Sequence, residues 1–154
     1  MAGLVSASID SELGGEVSVE TYDVRGIGVV RSPLRDLEAA PRQGDEGAPE
    51  AELVFDEEVG PALQGIGAGS VVVLLTWLHR ANRNTLETRP RNDPTRPMTG
   101  VFATRSPDRP NPIGLHTVTV LDASPLTLRV AGLEAIDGTP VIDVKIALGS
   151  PETR

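Results

Sequence analysis

Leu115–Val130 reads LHTVTVLDASPLTLRV. Leu115–Asp122 alternates cleanly, Leu126–Val130 does the same, and Ala123-Ser124-Pro125 lies between them. Two alternating runs joined by a short proline-containing link predict a β-hairpin with one face on a core.

The pattern continues on both sides. Downstream, Gly132–Ile136 leads into Asp137-Gly138-Thr139-Pro140, a turn sequence with Gly where a positive φ is expected. Pro140–Leu148 is the last strand, with Val141, Asp143 and Lys145 alternating against Ile142, Val144 and Ile146. Asp143 and Lys145 share a face and can pair, an arrangement of small energetic worth when exposed. Upstream, Val71–Leu78 (VVVLLTWL) is almost continuously apolar and reads as a central strand delivering His79-Arg80 at its end. Val24–Arg31, Ala51–Phe55 and Val101–Thr104 are further short strands. Asp56 can cap a short helix near Glu57–Gly65, with Glu57 and Glu58 favourable in its first turn. Gly65-Ile66-Gly67-Ala68-Gly69 is not a phosphate loop, because a helix precedes it and a strand follows. It reads as a helix stop and turn. Residues 32–51 and 80–98 are long aperiodic loops. Seven strands without intervening helices predict an all-β fold, a small closed or nearly closed β-barrel of about seven strands with one short helix.

Between the strands at 101–104 and 115–122 lies Ser106-Pro107-Asp108-Arg109-Pro110-Asn111-Pro112. Its prolines lock φ and remove backbone donors, so neither a helix nor a central strand survives there. Arg105, Arg109 and Asn111 put polar donors on a stiff frame, which suits a carboxylate or phosphate. The alternative is a proline-rich turn between strands.

The chain has 154 residues, enough for one domain with a core, and 39% are hydrophobic. Residues 1–21 read as a flexible tail before a domain at 22–150. No apolar run reaches the ~20 residues that span a membrane, and the N-terminus lacks the pattern of a secretion signal, so a cytoplasmic protein is expected. There is no cysteine, which excludes disulfides and thiolate chemistry. Two histidines without HExxH spacing give no metal signal. Net charge is −8, yet Arg80, Arg83, Arg89, Arg91, Arg96, Arg105 and Arg109 fall within residues 76–110 against three acids. A nucleic-acid surface would need such a local concentration.

The run TRSPDRPNPIG, followed by GLEAIDGTPVIDVK and preceded by IGVVRSP, PRQG and LLTWLHRANRN, resembles the TrmO (TsaA-like, YaeB-like) family of S-adenosylmethionine (SAM)-dependent methyltransferases. The resemblance covers roughly Val24 to Leu148. It implies a small β-barrel, a homodimer with cofactor sites near the subunit interface, and SAM as cofactor. Its contacts would fall on Pro41, Arg42, Gln43, His79, Arg80, Arg105, Leu115, Ile136, Asp137, Gly138 and Thr139. The residue chemistry partly agrees. Arginine suits the methionine carboxylate, Asp suits ribose hydroxyls or the ammonium, Leu suits the adenine face, and a Gly-Thr turn lets backbone approach closely. Methyl transfer needs positioning and no protein nucleophile. Asp143, His79 and Asp108 are the candidates for a general base.

Three functions compete. One is methylation of tRNA at N6 of threonylcarbamoyladenosine, resting on the motif and the arginine-rich segment. The second is methylation of a small metabolite. It rests on the net charge, on a C-terminus shorter than the family's, and on Ile146-Ala147 where the family continues Pro-Tyr. The third is a SAM-binding module without turnover.

Overall fold

The computed structural model describes residues 7–10, 16–36 and 47–149. Ten strands follow in chain order: β1 (Ala7–Asp10), β2 (Glu16–Val19), β3 (Gly28–Arg31), β4 (Ala51–Phe55), β5 (Val71–Trp77), β6 (Glu87–Thr88), β7 (Thr99–Gly100), β8 (Ile113–Ser124), β9 (Thr127–Ala131) and β10 (Pro140–Ile146). Six of them close an antiparallel barrel in the order β10-β3-β4-β9-β8-β5. Closure leaves no edge strand within that sheet.

The alternation that predicts the β8–β9 hairpin is the barrel's inside–outside pattern. On β8, Gly114, His116, Val118 and Val120 are buried, while Ile113, Leu115, Thr117 and Thr119 are exposed. On β5, Val72, Leu74 and Thr76 point inward with no exposure. With Val30, Leu53, Phe55, Leu128, Val130, Leu133 and Val141 they form the core. Pro125 and Leu126 turn the hairpin, Leu126 taking a positive φ of 63°. Register shifts between Val120 and Asp122 on β8, and between Val141 and Asp143 on β10, are the irregularities that bend strands around a small barrel.

Three expectations need correction. Val101–Thr104 is not the seventh strand: Val101–Ala103 is a 3-10 turn with Val101 buried and Phe102 80% exposed. Val101, Phe102 and Thr104 favour a strand, and that preference loses here to the hydrogen bonds that later residues make to the Val101 and Thr104 carbonyls, described below. The first strand begins at Gly28 rather than Val24. The helix after Asp56 is a 3-10 helix, Glu57–Leu63, with Pro61 inside it. Pro61 has no N–H for an α-helical ladder, while a short 3-10 stretch tolerates it. The cap is as expected, since Asp56 accepts from the Glu58 amide at 2.9 Å. Within the first twenty residues, β1 and β2 pair with each other as an antiparallel ribbon. The Gly65–Gly69 turn is borne out, with Gly65 and Gly69 at φ of 95° and 90°.

Gly28 sits close against β4. A Cβ there would lie 2.6 Å from the Val54 carbonyl oxygen and 3.2 Å from Phe55 Cα. Gly28→Ala is therefore expected to destabilise the barrel by about 1–3 kcal/mol through overpacking. Chemical denaturation measures it, and an unchanged midpoint would show that the strands can part.

Candidate functional site at one mouth of the barrel

Antiparallel pairing decides which loops meet. Val141 lies opposite Thr76, and Thr76 opposite Gly114. Pro140 lies opposite Val29, and the Val30 amide donates onward to the Thr139 carbonyl. The C-terminal ends of β3 and β5 and the N-terminal ends of β8 and β10 thus share one mouth. The segments after β3, after β5, before β8 and before β10 emerge there, and they carry the described candidate contacts other than Leu115, which lies on β8.

Part of that set is joined directly. The Asp137 amide donates to the Leu34 carbonyl at 2.6 Å, and the Gly138 amide to the Val30 carbonyl at 2.8 Å. Asp137 Oδ1 accepts from the Ser32 amide at 3.0 Å, and Oδ2 lies 3.7 Å from Arg35 Nη1. Arg80 Nη1 donates to the Arg35 carbonyl at 3.2 Å. Gly138 holds a φ of 84°, which the predicted turn requires. Thr139 is buried, its hydroxyl donating to the Ile136 carbonyl at 2.7 Å. Arg80, Ile136, Asp137, Gly138 and Thr139 therefore form one cluster with residues 30–35. Pro41, Arg42 and Gln43 lie outside the described residues. Both Asp137 carboxylate oxygens thus have protein partners, and the side chain stays 32% exposed.

The remaining contacts sit beside the cluster without a bond to it. Leu115 is 48% exposed on the outer face of β8, opposite Leu75. His79 and Arg105 are exposed. Two surface depressions, one lined by Ser18, Val19, Glu20 and Tyr22 and the other by Gly26–Val29, Val54, Asp56 and Pro140, include none of the predicted contacts.

The proline-rich loop is organised differently from expectation. Arg109 faces its own chain: Nε donates to the Ser106 carbonyl at 2.7 Å, and Nη2 to the Thr104 and Val101 carbonyls at 2.7 and 2.9 Å. Arg83 stacks 5.1 Å over the Trp77 ring and donates to the Pro110 carbonyl and to Asn111 Oδ1. Asp108 accepts from the Asn82 amide at 2.8 Å. Arg109, Asn111 and Asp108 are thus fasteners of the loop rather than free ligand groups. Arg105 makes no hydrogen bond or ion pair among the described residues, so its guanidinium is open to a ligand.

The segment 79–98 is also held by its own chain. β6 pairs with β7, Glu87 opposite Gly100 and Thr88 opposite Thr99. Arg89 donates to the Arg96 carbonyl, and Arg96 lies 3.6 Å from Asp93. Hydrogen bonds from the Thr95 hydroxyl and amide hold the Asp93 carboxyl below its usual range, with Arg96 adding to them. Of the candidate bases, Asp143 is paired with Lys145 at 3.3 Å and Asp108 accepts from an amide. The His79 ring has no partner among the described residues.

Sequence reasoning missed His116. It shares parity with Val118 and Val120 in LHTVTVLD, and that parity alone marks it as inward-facing. It is 5% exposed and bonded on both ring nitrogens, to Thr76 and Glu134.

The fold is a small closed antiparallel barrel, with cationic groups and a glycine turn on the segments around one mouth and apolar Leu115 on the adjoining strand. The family model of the tRNA-methyltransferase O N-terminal domain matches residues 29–148, and the chain belongs to that family. A probable S-adenosyl-L-methionine-binding protein of Methanothermobacter thermautotrophicus is 45% identical over 122 residues, 79% of this chain and 87% of its own length. An S-adenosyl-L-methionine-binding protein of Archaeoglobus fulgidus is 39% identical over 79% of this chain and 86% of its own. Among solved structures, TrmO from Pseudomonas aeruginosa superposes with a TM-score of 0.67 at 32% identity, covering 83% of this chain. This chain spans 56% of that solved chain.

Proposed function

We propose that the protein is a SAM-dependent methyltransferase of the TrmO type, with N6 of threonylcarbamoyladenosine in tRNA as its acceptor. The observation that carries this reading is the convergence, at one barrel mouth, of every described segment that the family motif nominates. The relatives described as SAM-binding proteins support the cofactor. When bound, SAM supplies a methyl group on a sulfonium, open to in-line displacement. The residues present fit such a molecule. Arg105, without a partner among the described residues, offers its guanidinium to a carboxylate, Gly138 leaves backbone unshielded by a Cβ, and Leu115 offers an apolar surface to a purine face. The chain's contribution is positioning, which can supply most of the acceleration. A tRNA acceptor puts the reaction in the cytoplasm.

The test is mass spectrometry of nucleosides from tRNA of a strain lacking the gene, with purified enzyme and SAM added back. The reading predicts loss of the N6-methylated nucleoside in the strain and its return on addition. Normal tRNA in the strain would instead favour the second reading, a small-metabolite acceptor. One observation favours that alternative: Arg83, Arg89, Arg96 and Arg109 all have partners within the chain, so the arginine-rich segment offers fewer free cations than its composition suggests. Salt separates the two as well, because neutralising several phosphates makes affinity fall steeply with salt and a small acceptor does not.

We also propose a homodimer. Opposite pairs Leu75–Leu115 and Trp77–Ile113 form an outward apolar strip beside the mouth, with Leu115 and Ile113 at 48% and 41% exposure. Such a strip suits a two-fold interface that walls the cofactor site. Light scattering is expected to give twice the 16.2 kDa chain mass. A monomer with full SAM affinity would show the site to be complete in one chain.

A further inference from the structure

The proposed reaction leaves one buried polar group unused. Thr76 Oγ1 and His116 Nε2 are 2.8 Å apart, and His116 Nδ1 is bonded to Glu134 Oε1. Thr76 is fully buried, His116 is 5% exposed, and the Glu134 side chain is 15% exposed. The other inward residues of β5 and β8 deeper in the barrel are Val72, Leu74, Val118 and Val120. Burying three polar side chains at the mouth brings desolvation costs that apolar residues would avoid. The backbone is also shaped around them. A Cβ on Gly114 would lie 2.3 Å from Thr76 Oγ1 and 2.6 Å from His116 Nε2. The line therefore needs a glycine opposite Thr76, where a strand otherwise favours a side chain.

Each member sits on a segment that carries a candidate cofactor contact. Thr76 precedes His79-Arg80 at the end of β5. His116 follows Leu115 on β8, and its strand continues from the proline-rich loop. Glu134, between buried Leu133 and Ala135, precedes the Ile136–Thr139 turn. Backbone bonds already fasten that turn to residues 30–34 on one side. Glu134 fastens the approach to it on the other side, to the inner face of β8. A carboxylate only accepts, so in the neutral ring Nδ1 carries the hydrogen given to Glu134, and Nε2 accepts from the Thr76 hydroxyl.

We propose that Thr76, His116 and Glu134 are positioning residues of the cofactor site, a buried hydrogen-bonded line that sets the mutual placement of the 79–80 segment, Leu115 and the 136–139 turn. The inference rests on the SAM reading above. Its test is calorimetric SAM affinity of wild type and four variants, with melting temperature and circular dichroism of each. Thr76→Val removes the hydroxyl at nearly constant shape, and Glu134→Ala removes the acceptor. Each is expected to weaken SAM binding about tenfold, as loss of a buried hydrogen bond does. Thr76→Ser and Glu134→Gln keep a donor and an acceptor, and are expected to stay within about twofold of wild type. Glu134 lies at the rim, so its variants report even where Thr76→Val does not fold. Equal affinities in all folded variants, with only the melting temperature lowered, would overturn the inference and leave the SAM reading standing. So would equally weak binding in the conservative pair. Absence of SAM binding in the wild type overturns the SAM reading itself, and the inference with it.

Discussion

Arg109→Ala is expected to lower the unfolding free energy by about 2–3 kcal/mol, since one charged side chain donates to three backbone carbonyls, and its loss takes the donor from those of Thr104 and Ser106 while Val101 keeps its bonds from Thr104. Among the described residues the Thr104 and Ser106 carbonyls have no other donor, and Pro107 and Pro110 have no N–H to replace it. Arg109→Lys is expected to recover little, because an ammonium cannot reproduce the planar fork. Urea denaturation measures the first effect. SAM affinity should fall as well, because the loop that Arg109 holds shut also carries Arg105. A variant as stable as wild type would mean that the prolines alone maintain the loop.

The second large effect concerns Arg105 itself. Arg105→Ala is expected to weaken SAM binding by about 10- to 100-fold, the loss of a charge-assisted contact worth about 1.5–3 kcal/mol. Arg96→Ala is the matched control. It removes an exposed arginine of the same segment whose partner is Asp93, and such surface pairs contribute about 0–1 kcal/mol. Arg105→Ala should leave stability almost unchanged, because the side chain has no partner among the described residues. Equal losses of affinity from the two substitutions would show a general basic surface rather than a specific contact.

The barrel was legible wherever side chains alternate against a core. Val118, Val120, Leu128 and Val130 are inward on β8 and β9 as their spacing requires, and Val72 and Leu74 hold the centre of β5. The Asp143–Lys145 pair and the Gly138 turn were equally readable, because both depend on neighbours in the chain. What could not be read depends on distant residues. Val101–Ala103 has strand propensity and forms a 3-10 turn, since Arg109 takes the carbonyl that a strand would offer to a neighbour. Arg109 and Asn111 carry the right chemistry for a ligand, and nothing in their own sequence shows that Val101, Thr104, Ser106 and Arg83 use it first. The loop at 80–98 reads only as aperiodic because its fasteners, at Thr99–Gly100 and Pro110–Asn111, lie beyond its end. His116 combines both cases. Its inward parity with Val118 and Val120 is local, whereas the partners that define its role, Thr76 and Glu134, lie 40 and 18 residues away.

The measurement that bears most directly on the central claim is isothermal titration of the purified protein with SAM, accompanied by a melting curve at saturation. Ligand binding to the folded state alone stabilises it by mass action. The account predicts a micromolar-range dissociation constant and a raised melting temperature. A flat titration with an unshifted melting curve would contradict it, because the groups gathered at the barrel mouth would then have no SAM to hold.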